Sequence, residues 1–98
     1  MLKTDRNTFL LKGSGYILLG AEERELAAFD VEISGDLSRG AGYLLSSHKA
    51  AQFAEGEDEI IINFAPERYW RAIVERVVDT RIDIAIIDQG VGESSDCV

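Results

Sequence analysis

The 98 residues are 46% hydrophobic, enough to close one core, and too few to build a second folded domain beside it. Eighteen carboxylates oppose ten Lys and Arg, and the formal net charge of −8 disfavours direct contact with nucleic-acid phosphates or anionic lipid headgroups. Near the start, Phe9-Leu10-Leu11 is broken by Lys12 and Gly13-Ser14-Gly15 before apolar residues resume, which is too short and interrupted for a signal peptide or a membrane helix.

In chain order, residues 1–7 are a frayed lead-in without periodicity. Residues 8–12 and 16–19 are apolar runs either side of Gly13-Ser14-Gly15, and the glycines predict a chain reversal and a first hairpin. Ala21-Glu22-Glu23-Arg24-Glu25 reads as a polar connection. Phe29, Val31 and Ile33 then alternate with Asp30, Glu32 and Ser34, the pattern of a strand with one wet face. Gly35-Asp36 opens a turn that Arg39-Gly40-Ala41-Gly42 continues, and Tyr43-Leu44-Leu45 returns as the second arm of another hairpin. Ser46 or Ser47 suits a helix N-cap and Gly56 its C-terminal end, predicting two helical turns over residues 48–55.

Ile60-Ile61-Ile62 and the isoleucine-rich residues 82–87 read as central strands buried on both faces. Between them, Pro66 and Glu67 fit the first turn of a helix, and Trp70, Ile73, Val74 and Val77 follow its i, i+3, i+4, i+7 spacing. The expected fold is therefore α+β: a mixed, mainly antiparallel twisted sheet of N-terminal hairpins and a strand-helix-strand unit, with one amphipathic helix on one face. Residues 1–89 form the domain in this reading, and the small, polar residues 90–98 a disordered tail.

Residues able to do chemistry are scarce. The lone His48 beside Ser47 lacks both the third group that orients a triad and a nucleophile elbow. One His and one Cys cannot furnish a zinc site, and the run Glu55-Gly56-Glu57-Asp58-Glu59 lacks the acid spacing of a calcium loop. None of the glycine pairs opens a helix with phosphate-loop spacing. No catalytic residue, metal or cofactor is expected. Cys97 has no internal partner for a disulfide, which points to a reducing, cytoplasmic setting.

What remains is surface charge. Glu22, Glu23, Glu25, Asp30, Glu32 and Asp36 fall in a short span with Arg24 as their only counter-charge, and Arg68 and Tyr69 flank the apolar stripe around Trp70. These eight residues are the expected contact set of a small acidic, non-catalytic module, such as an adaptor, inhibitor, chaperone or immunity-type protein. Its partner would be another protein of basic character. The alternative is a ligand-binding or enzymatic domain with a pocket between helix and sheet, using Tyr43, His48, Asn63 and Asp88 and completed by a homodimer. Self-association through an open sheet edge is compatible with both.

Overall fold

A computed structural model describes residues 8–91. Six strands and one helix follow in order: β1 (Thr8–Leu18), β2 (Arg24–Ser34), β3 (Gly40–Leu45), α1 (His48–Glu55), β4 (Glu59–Ala65), β5 (Arg68–Val78) and β6 (Arg81–Val91). All neighbours pair antiparallel, and the sheet closes into a barrel in the order β1-β2-β3-β6-β5-β4. A closed sheet has one inside, so apolar residues are needed at alternate positions only. Ala27, Phe29, Val31 and Ile33 of β2 point in, as do Ile60 and Ile62 of β4 and Ile82, Ile84 and Ile86 of β6.

The α+β expectation is thereby overturned. Residues 66–77 form no helix: Pro66 and Glu67 make the tight turn between β4 and β5, Glu67 adopting φ 60°, and β5 begins at Arg68. The helical spacing was an accident of a bulge. Trp70, Ala72 and Val74 face the core two residues apart, and a register shift between Val74 and Arg76 makes Val77 the next to do so. β-branched and aromatic side chains at 69, 70, 73, 74, 77 and 78 favour the extended chain once neighbours exist on both sides. Nor are the isoleucine runs of β4 and β6 buried on two faces, since Ile61, Asp83 and Ala85 are all partly exposed.

Two glycine segments expected in turns lie within strands. Gly13-Ser14-Gly15 sits inside β1, where a Cβ on Gly15 would stand 2.3 Å from the Asn63 carbonyl oxygen; glycine lets β4 come that close. Gly40 and Gly42 begin β3, and a Cβ on Gly42 would stand 2.2 Å from the Asp30 carbonyl oxygen. The reversal after β1 comes later, closed by the Leu19 amide donating to the Glu23 carbonyl at 2.8 Å.

Helix α1 forms where its caps allow it. Ser47 is extended and its hydroxyl accepts from the Ala50 amide at 3.1 Å, while the Gly56 amide donates to the Phe53 carbonyl at 3.1 Å. Its buried Ala50 and Ala54 join the core, and the helix packs against β5 and β6 beside the β5–β6 turn. The β2–β3 and β4–β5 turns lie at the other end. There Trp70 stacks on Phe64 at 4.0 Å, meets Phe29 edge-on at 5.2 Å and donates its indole N–H to the Leu37 carbonyl at 2.9 Å. Strand β6 runs through Gly90 to Val91, where the tail was expected to begin; residues 1–7 and 92–98 lie outside the described residues. Among the described residues no helix is long and apolar enough to cross a membrane.

Candidate binding face

The barrel interior is apolar. From Ile17 to Ile86 the buried side chains form one apolar cluster, and no polar or charged residue among those described is buried. A ligand pocket needs a few convergent polar groups, and among the described residues no polar or charged side chain is buried in this interior. Polar and charged side chains among the described residues lie at or near the outer surface.

The outer wall of β1, β2 and β3 is organised by register. On it Tyr16 lies opposite Leu26, Ala28 opposite Leu45, Lys12 opposite Asp30, Asp30 opposite Tyr43, and Leu10 opposite Glu32. The outward row of β2 therefore reads Arg24, Leu26, Ala28, Asp30, Glu32: an apolar half continued by an acidic half. Leu26 is 61% exposed, Leu45 49% and Tyr16 40%, so directly opposed and diagonal pairs build one apolar patch. The small Ala28 leaves a depression of about 240 Å³ on this wall, lined also by Lys12, Asp30, Tyr43 and Leu45 and floored by Gly13 and Phe29. Guanidinium groups frame the patch, Arg24 at 5.7 Å from the Tyr16 ring and Arg81 at 4.2 Å from that of Tyr43.

The expected contact residues do not form one face. Asp30 and Glu32 point outward together; Asp30 accepts from the Tyr43 hydroxyl at 3.2 Å and faces Lys12 at 3.8 Å, and Glu32 accepts from Thr8 at 3.1 Å. Glu22, Glu23 and Glu25 lie at the α1 end. Glu23 is paired with Lys49, whose pKa is raised by that carboxylate, and Glu25 accepts from the Ser47 hydroxyl at 2.8 Å. Asp36 lies at the far end, in the β2–β3 turn, where the hydroxyls of Ser38 and Ser34 both donate to its carboxylate at 2.7 Å and, with the Ser38 amide, hold its pKa down to about 2. Arg68 is brought to the same end: it donates to the Gln89 side-chain oxygen at 2.9 Å, and the Gln89 amide nitrogen donates to the Asp36 carbonyl at 3.0 Å. Tyr69 is half-buried on the next position of β5. The sequence reading missed Tyr16, Leu26, Ala28 and Leu45. The alternation of β2, carried back from Asp30 to Leu26, held the signal.

The alternative pocket residues are scattered. Tyr43 borders the outer-wall depression, Asn63 spends its side-chain amide on the Ala65 and Arg68 carbonyls, Asp88 faces Arg71 at 3.5 Å, and His48 at the start of α1 is 3.8 Å from Asp79. The described residues contain no group of three metal-ligating side chains. The class this defines is a small closed antiparallel barrel with a packed interior and a patterned outer wall. Compared with known protein families, with curated proteins and with solved structures, the chain has no significant match.

Proposed function

We propose that this chain is a non-catalytic protein-binding module that engages its partner through the outer wall of β1, β2 and β3. The observation that supports this most is the outward row of β2, in which exposed Leu26 and Ala28 run straight into Asp30 and Glu32. An apolar anchor of the partner fits the depression over Ala28, and basic residues beside that anchor meet the carboxylates. The acidic contact set thus narrows to Asp30 and Glu32, with apolar Tyr16, Leu26 and Leu45 added. With Cys97 as the only cysteine, we place the protein in the cytoplasm.

The test is affinity capture with Leu26→Glu and Asp30→Asn/Glu32→Gln variants, all confirmed as folded. Leu26→Glu should abolish capture of a partner at any salt. The carboxylate variant should slow association, in the way that raising salt slows it for the wild type. Capture unaffected by Leu26→Glu overturns the proposal.

A further inference from the structure

The barrel closes through a narrow seam. β1 pairs with β2 over all eleven of its residues, yet meets β4 only at Tyr16↔Asn63 and Ile17↔Ile62. From Thr8 to Gly13, β1 therefore has a strand on one side only among the described residues. Exposure follows: Phe9 is 44% exposed although Ile33 directly opposite is fully buried, and Leu10 is 70% exposed. This is a sheet edge with no acid, proline or bulge, Lys12 being its one charged residue, in a chain otherwise rich in carboxylates.

We propose that this edge pairs with the same edge of a second copy, antiparallel about a two-fold axis through Leu10. The edge matches itself. In that register Leu10 faces Leu10 of the second copy on the outer side, Phe9 faces its Leu11 on the inner side, and Thr8 faces its Lys12. Each apolar side chain meets an apolar one, and no like charges stand opposite. Lys12 of one copy comes beside Thr8 of the other, whose hydroxyl already donates to Glu32, so the single cation of each edge lies a strand away from a carboxylate of the other copy. A basic peptide would find no carboxylate on this segment. Six residues a side make a small interface, below the roughly 1,200 Å² of stable complexes, so the dimer is weak and depends on concentration. Its salt dependence has a definite sign. Two bodies of net charge −8 repel one another while the edge itself is nearly uncharged, so added salt strengthens association. Binding of a basic partner on the outer wall is weakened by salt, which separates the two proposals.

Sedimentation equilibrium over a range of protein concentrations, at low and high salt, tests this. The mass should rise from 10.8 kDa towards twice that value, further at high salt, and Leu10→Glu should weaken dimerisation at least tenfold with thermal unfolding unchanged. The second measurement is oxidative cross-linking of Leu10→Cys in a Cys97→Ser background. Facing Cα atoms of an antiparallel pair lie about 4.5–5.5 Å apart, within disulfide reach, so cross-linking should be much faster than for Leu26→Cys. A monomer at every concentration overturns the proposal. So does a dimer insensitive to Leu10→Glu, cross-linking no faster at 10 than at 26, or protection of the 8–13 amides from hydrogen exchange in the monomer, which would mean that the chain covers its own edge.

Discussion

At Trp70 three constraints meet in one side chain: full burial, two aromatic contacts and an indole N–H committed to the Leu37 carbonyl. That bond ties β5 to the β2–β3 turn, where Leu37 itself holds a φ of 64°, uncommon for a branched residue and sustained by its packing on the core. Replacing Trp70 by Ala removes both packing and bond, and urea unfolding should show a loss of about 3–5 kcal/mol. Trp70→Phe keeps most of the packing but strands the carbonyl, for a loss of about 1–3 kcal/mol. In the same turn Asp36 gives a pH prediction. Its carboxyl is depressed from 3.8 to about 2, so its contribution to stability is complete above pH 3.8 and disappears as pH falls through 2. Asp36→Asn should therefore lower stability at neutral pH and reduce its decline on acidification. An NMR titration of the Asp36 carboxyl should give about 2; a value near 3.8 would mean that the Ser34 and Ser38 bonds do not form in solution.

Among the elements, α1 depends on Ser47, whose hydroxyl accepts from Ala50 and donates to Glu25. Ser47→Ala removes both bonds, and thermal or urea unfolding should register about 1–2 kcal/mol of destabilisation, with faster exchange of the first α1 amides. This helix was legible in the sequence because capping is local: Ser47 and Gly56 speak for their own neighbours. The alternation of residues 29–34 was legible for the same reason. β5 was not, because the bulge at Glu75 that brings Val77 back to the core exists only opposite β6, and the pattern it leaves coincides with helical periodicity. The glycines of β1 and β3 misled in a similar way, since their meaning is the approach of Asn63 and Asp30, far off in sequence. The candidate site was half legible. Asp30 and Glu32 stood out by charge, whereas Leu26 and Leu45 carry no such signal, and only barrel closure fixes which side of each strand faces water.

For the whole molecule, closure of the sheet puts one apolar cluster inside and the polar side chains on the outer wall. Surface ion pairs such as Arg71 with Glu59 at 2.7 Å and with Asp88 at 3.5 Å lace neighbouring strands; the first lowers the Glu59 pKa and raises that of Arg71. Exposed pairs of this kind contribute little stability each, so apolar burial carries the fold. What distinguishes one side of the barrel from another is then the outer-wall patch and the half-open β1 edge. Both depend on β5 being a strand that completes the ring. Cross-strand nuclear Overhauser contacts in the labelled protein test this most directly. The barrel predicts backbone contacts from Trp70 to Ile62 on one side and to Gln89 on the other, together with Tyr16 to Asn63 across the seam. Sequential i, i+3 contacts through residues 66–77, with none across the seam, would contradict it.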